Sequence, residues 1–256
     1  MTILFGPAGL GGSKTAVMML EKYHSLGLRA CEIAFTYSVY IKPDDAVLIG
    51  RAAEKLGIEL SIHAPYFVNL ASSEKLKLEA TKKRILDCCR IGELLGAKVV
   101  VFHPGYYGDD RVGSYTAIKA GIVELLAEIK KNKWKIQIAP ETMGKINVFG
   151  SIDEISRLVQ ETGCACCIDF AHILARDKKV NYQEVERAFP QKEWHVHFSG
   201  IIYGDKGEKS HKTTEGSEWK QLLSNLPKDK KIRIINESPT MVEDSVMGLK
   251  LYQTLV

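Results

Sequence analysis

A short Val/Ile-rich run followed by a stretch of helical periodicity occurs eight times along the 256 residues. The runs are ILFG (3–6), ACEIAF (30–35), ELSIH (59–63), KVVVFH (98–103), KIQIAPE (135–141), ACCIDF (165–170), EWHVHFSG (193–200) and KIRIINE (231–237). Apolar spacing near 3.6 residues predicts helices near 14–26, 43–56, 73–96, 114–131, 151–162, 181–188, 216–224 and 241–255. The clearest helical face is Ile118, Ile122, Leu125, Leu126 and Ile129. Eight β/α units in about 250 residues predict an α/β chain folded as a (β/α)8 TIM barrel. No Pro/Ser-rich linker or composition break interrupts them, so one domain spanning 1–256 is expected. An open doubly wound sheet is the rival. Its nucleotide fingerprints are missing, because GPAGLGG (6–12) fits neither GxGxxG nor GxxxxGK[ST].

A barrel of this kind carries its chemistry at the C-terminal ends of its strands. His63 ends the third strand, His103 the fourth and Glu141 the fifth. Asp169 lies at the end of the sixth with His172 just beyond. His197 sits late in the seventh, His211 lies in the following loop, and Glu237 ends the eighth. The chain has seven histidines, and five of them occupy these positions. Imidazoles and carboxylates converging on one mouth are the ligand set of zinc or a similar divalent ion. Singly, each residue reads as a hydrogen-bonded strand end or a helix cap. Jointly, they would be costly to bury unless metal or pairing satisfied them. His195 and His197 share a strand face. We expect His197 to be a ligand and His195 to sit a layer deeper, and His24 to be a surface residue.

Other features narrow the class. A net charge of +4 permits a polyanionic partner without requiring one. No basic segment precedes an apolar stretch at the N-terminus and no run reaches 18 apolar residues, so a cytoplasmic location away from membranes is expected. Cys31, Cys88, Cys89, Cys164, Cys166 and Cys167 form no CxxC pattern and read as small core residues.

The segments HAPYFVNL (63–70), FHPG (102–105), PETMG (140–144), IDFAH (168–172), HFSG (197–200), GEKSH (207–211) and NESP (236–239) occur in an order that resembles the endonuclease IV family of zinc-dependent apurinic/apyrimidinic endonucleases. The resemblance spans essentially the whole chain. It implies hydrolysis of the phosphodiester 5′ to an abasic site in duplex DNA, during base-excision repair, without a Ser or Cys nucleophile. It implies two or three zinc ions, with manganese or another divalent metal as an alternative, and we expect a monomer. His63 and His103 would hold one ion, with Glu141 bridging to a second held by Asp169, His197 and Glu237. Glu141 is the expected catalytic centre. His172 and His211 would serve a third ion. There the family adds an Asp two residues before the last His, whereas this chain has Lys209, with Glu208 one residue away. The third site is therefore expected to be empty, weakly occupied or rebuilt around Glu208.

Tyr66 and Phe67 resemble the family's DNA-binding positions, where an aromatic wedge replaces lost stacking. Near Tyr40 the family often carries a wedging arginine, which TYSVYIKP lacks. Lys145, Arg176, Lys178, Lys179, Lys206, Lys209 and Lys212 follow strands and are candidates for phosphate contact. A sugar isomerase or epimerase would share Glu141, Asp169, His197 and Glu237 but has no need of the further histidines. A damage-binding protein without catalysis is a third class.

Overall fold

A computed structural model describes residues 2–255. In chain order its elements are β1 (Thr2–Pro7), α1 (Ala16–Ser25), β2 (Ala30–Ala34), α2 (Pro43–Leu56), β3 (Glu59–His63), α3 (Lys75–Leu95), β4 (Val99–Phe102), α4 (Arg111–Lys131), β5 (Gln137–Pro140) and α5 (Ile152–Thr162). They continue as β6 (Cys167–Asp169), α6 (Phe170–Asp177), α7 (Tyr182–Ala188), β7 (Glu193–Phe198), β8 (Gly200–Gly204), β9 (Gly207–Lys212), α8 (Gly216–Asn225), β10 (Lys231–Asn236) and α9 (Met241–Leu255).

All eight expected strands form, and all pair in parallel. One arc runs β2-β3-β4-β5 and the other β1-β10-β7-β6. The arcs join at both seams. At the first, Glu141 bridges to Cys167, and the Thr142 N–H donates to the Cys167 carbonyl at 3.1 Å. At the second, the Arg29 N–H donates to the Phe5 carbonyl at 3.0 Å. Gly6 makes this second seam possible, because a Cβ there would lie 1.8 Å from the Ala30 carbonyl oxygen. The ring of strands is thereby closed, as the (β/α)8 reading requires.

The strands are buried on both faces, which is why they read as continuous apolar runs rather than alternating ones. The outer faces pack on helices through residues such as Ile33, Ile62, Val100 and Ile118. Inside the barrel, Val99, Val101, Ala139 and Cys167 form a small apolar cluster. Below it Arg233 plugs the barrel, donating to Glu59 at 2.7 Å. The expected face of α4 is buried at Ile118, Ile122, Leu125 and Ile129. All six cysteines are buried and free. No helix among the described residues is long and apolar enough to cross a membrane.

Two elements were not expected. Helix α6 spans eight residues, too short for a periodicity to register. The β8–β9 hairpin lies in what reads as a polar loop, and its strands are only partly buried. His24 also departs from the expectation of a surface residue. It is half-buried, with Nδ1 2.8 Å from the Leu56 carbonyl, and so ties α1 to α2.

Candidate metal centre

Parallel register brings the strand ends to one level. His63 lies beside Val101, Asp169 beside His197, and His197 beside Ile235. The eight expected residues accordingly gather at one mouth, in three groups whose candidate ligand atoms lie within 4.8 Å of one another in each group. The first is His63, His103 and Glu141. The second is Glu141, Asp169, His197 and Glu237. The third is His172, Glu208 and His211.

Glu141 is fully buried at the centre. Its Oε2 lies 3.3 Å from both His63 Nε2 and His103 Nε2. Its Oε1 lies 3.2 Å from His197 Nδ1 and 3.3 Å from His172 Nδ1. One oxygen thus serves each pair of imidazoles. Burial disfavours its charge, but His197 and the histidine hydrogen bonds outweigh burial and hold the carboxyl well below its ordinary range.

Backbone carbonyls orient two of the imidazoles. His63 Nδ1–H donates to the Ala64 carbonyl at 2.7 Å, and His172 Nδ1–H donates to the Thr142 carbonyl at 3.0 Å. A carbonyl can only accept, so in both rings the neutral form presents a bare Nε2 to the mouth. Asp169 has two tasks. Its Oδ1 caps α6 by accepting from the His172 N–H at 2.7 Å, while its buried Oδ2 has no hydrogen-bond partner among the described residues. Burial pushes its pKa up to about 6. An orphaned buried carboxylate oxygen facing other carboxylates is the environment a cation would satisfy. Burial also opposes ionisation of Glu237, but His197 outweighs it and pulls that carboxyl down to about 2. The donor set of imidazole nitrogens and carboxylate oxygens suits zinc or another divalent transition ion.

The third group explains Lys209. In a regular strand Glu208 and His211, three residues apart, would face opposite sides. The β8–β9 pairing slips between Ile202 and Tyr203, so that Ser210 opposes Ile202 while Glu208 opposes Tyr203. Lys209 is the extra residue of this β-bulge and is exposed. The slip restores the parity. Glu208 Oε2 comes to 3.4 Å from His172 Nε2, and Glu208 Oε1 to 4.0 Å from His211 Nε2. Gly144 makes the room, since a Cβ there would lie 2.8 Å from Glu208 Cβ and 3.0 Å from His172 Cδ2. Glu208 thus stands beside both imidazoles of this group.

Tyr66 and Phe67 are 45% and 49% exposed on the loop after β3. The Tyr66 ring stacks obliquely near His63 and His103, at centroid distances of 5.2 and 5.5 Å. Burial of its hydroxyl and the nearby Glu237 push the phenol up to about 12. A cavity of about 380 Å³ opens between Tyr66, Tyr106, Met143, Glu208 and His211. The basic residues need correction. Arg176 is engaged within the fold, donating to the carbonyls of Lys145 (2.7 Å) and Val148 (2.9 Å) and to the Tyr107 hydroxyl (2.8 Å). Lys178 donates to the Ala175 carbonyl, and Lys212 pairs with Glu215 and Glu218. Lys145, Lys206 and Lys209 stay exposed on the β5 loop and the hairpin.

Glu32 on β2 was not singled out from the sequence, yet it lies fully buried under the cluster. The signal was available. A carboxylate in the middle of ACEIAF, a strand apolar on both sides of it, must be satisfied internally. His195 sits a layer below His197, as expected, with Nε2 3.0 Å from Glu32 Oε2.

A closed (β/α)8 barrel with a buried histidine–carboxylate cluster at its C-terminal mouth is the class of molecule that fold and site together define. The chain belongs to the xylose isomerase-like TIM barrel family, whose profile matches residues 20–249. It is 33% identical to an uncharacterized protein of Methanocaldococcus jannaschii over 99% of this chain and 98% of that one. It is 32% identical to a probable endonuclease 4 of Staphylococcus carnosus, over 48% of this chain and 43% of that protein. Among solved structures, it is similar to endonuclease IV from Thermus thermophilus, with a TM-score of 0.74 and 22% identity over 99% and 98% of the two chains. It is also similar to a D-psicose 3-epimerase, with a TM-score of 0.70 and 16% identity over 100% and 97%.

Proposed function

We propose that this chain is a divalent-metal-dependent endonuclease that hydrolyses the DNA phosphodiester 5′ to abasic sites, with zinc as the first candidate ion. The carrying observation is the third ligand group. A sugar isomerase needs one metal and two carboxylates, and His172, Glu208 and His211 are superfluous to it. Three groups gathered around Glu141, two of which share it, suit a phosphodiester, where charge develops on several oxygens at once. Bound divalent ions supply Lewis-acid activation of water and of the phosphoryl oxygens.

The protein's own residues do the rest. Glu141 ties the histidine groups together. His63 and His172 are held in the tautomer that leaves Nε2 free. Tyr66 keeps its hydroxyl proton and can donate it in a hydrogen bond to the substrate beside Glu237. The exposed rings of Tyr66 and Phe67 fill the gap left by a missing base. Lys145, Lys206 and Lys209 attract the flanking phosphates.

The test is a duplex carrying one abasic analogue, incubated with zinc-loaded protein. A nick leaving an extendable 3′-hydroxyl is expected, and an intact duplex would reject the proposal. Epimerisation of a ketose is the second reading, because Glu141, Asp169, His197 and Glu237 by themselves form the metal-and-carboxylate set such a reaction uses. Turnover of D-psicose or D-fructose with no nicking would select it.

A further inference from the structure

We infer that Glu32 is a positioning residue that decides which nitrogen of His197 faces the metal centre. The inference rests on the cluster being a metal centre and not on the identity of the substrate.

Glu32 is set by register. It lies opposite Ser61 on the neighbouring strand, and both side chains point into the barrel below His197. Its Oε2 accepts from the Ser61 hydroxyl at 2.8 Å and lies 3.0 Å from His195 Nε2. His195 is a donor here. Its Nε2 meets the Glu32 carboxylate, which can only accept, so the ring's proton belongs on that nitrogen. Oε2 is thus doubly engaged, and Oε1 is left over.

That remaining oxygen and His197 Nε2 are both buried, and neither has a hydrogen-bond partner among the described residues. They lie 2.9 Å apart, off the direct N–H line. Each is thus within reach of the other, with the Cys167 thiol also beside the His197 ring. A buried carboxylate can only accept, so it keeps a proton on His197 Nε2. An ion that replaced the hydrogen bond of Nδ1 to Glu141 Oε1 (3.2 Å) would then meet the lone pair on Nδ1, which also lies 3.4 Å from Glu237 Oε2.

The contrast with the other oriented histidines shows why a carboxylate is needed. His63 and His172 turn Nδ1 to a backbone carbonyl and present Nε2. His197 presents Nδ1 instead, from the next-to-last residue of a strand paired on both sides by β6 and β10. Carbonyls there belong to the ladder, so a side chain from across the barrel must hold the other nitrogen. Outer carboxylates of this kind also raise the basicity of the ligand they hold.

The experiment measures zinc binding at equilibrium and the imidazole ¹⁵N–¹H spectrum of zinc-loaded protein, for the unmodified chain and Glu32→Gln. In the unmodified chain, the His197 proton is expected on Nε2. In Glu32→Gln, the ion read through His197 should bind about 10–100-fold more weakly. The ion read through His63 and His103 should be little changed. A His197 proton on Nδ1 in the unmodified chain would overturn the inference. So would equal weakening of every ion together with lower metal-free stability, which would mark Glu32 as a packing residue. Should Glu32→Gln fail to fold, the spectrum of the unmodified chain still decides. Ser61→Ala should then weaken the His197 ion selectively, and unchanged binding in that variant would count against the inference. Failure of the unmodified chain to bind zinc would overturn this inference and the metal reading together. Zinc binding without nicking would reject the nuclease reading alone.

Discussion

Replacing Asp169 with Asn should make the metal-free protein more stable and the metal-loaded protein worse at holding its ions. The carboxyl is buried, and its pKa is raised from an ordinary 3.8 to about 6, chiefly by burial, with the Glu141 and Glu237 charges adding to the effect. The folded state therefore holds the proton more tightly than the unfolded chain. Stability tied to this group is fully present below about pH 4 and is lost as pH rises toward about 6. At 1.36 kcal/mol per pH unit, the loss amounts to about 3 kcal/mol at neutral pH. Asn imitates the protonated form and can still accept from the His172 N–H through Oδ1, so the α6 cap survives. Metal-free Asp169→Asn should unfold about 6–12 °C higher than the unmodified chain at pH 7, taking about 2–4 °C per kcal/mol for a chain of this size. At pH 4 the gap should close. Zinc at a thousand times its dissociation constant stabilises by about 4 kcal/mol per site. The variant should forfeit much of that at the second ligand group, narrowing or reversing the order of stabilities. Thermal unfolding with chelator and with excess zinc, at both pH values, reads all four quantities. A metal-free variant no more stable than the unmodified chain at pH 7, or a gap unchanged at pH 4, would refute the reasoning.

Three further outcomes are expected. Glu141→Gln should abolish nicking of an abasic duplex while circular dichroism stays native, because a neutral amide cannot serve two cations; cleavage near the unmodified rate would reject the bridging role. Glu208→Ala should lower the bound zinc count by one ion, whereas Lys209→Asp should leave the count unchanged, because the bulge keeps position 209 exposed; elemental analysis distinguishes the two. Tyr66→Ala and Phe67→Ala should each weaken binding to an abasic duplex by about 1–3 kcal/mol, the range for lost aromatic stacking on a base. Equal weakening on an undamaged duplex would show that the rings do not read the lesion.

What the sequence determined by itself was the barrel and the membership of its mouth. Eight Val/Ile runs separated by helical periodicity leave few topologies, and a parallel barrel places every strand end on one face. His63, His103, Glu141, Asp169, His172, His197, His211 and Glu237 could therefore be assigned to one cluster before any distance was known. Tertiary structure decided the partners across strands. Glu32 finds His195 and His197, more than 160 residues away, only because the barrel closes and faces β2 toward β7. Register does the same for Lys209 and Glu208. Strand alternation predicts opposite faces for residues three apart, and the bulge that reverses this depends on how β9 pairs with β8. Arg176 followed a strand and read as a phosphate contact, but the carbonyls of the β5 loop claim it. Local pattern fixes which residues reach the mouth, because strand direction and side-chain alternation are properties of the chain itself. Pairing between distant segments sets which oxygen meets which nitrogen, and that is a property of the closed barrel alone.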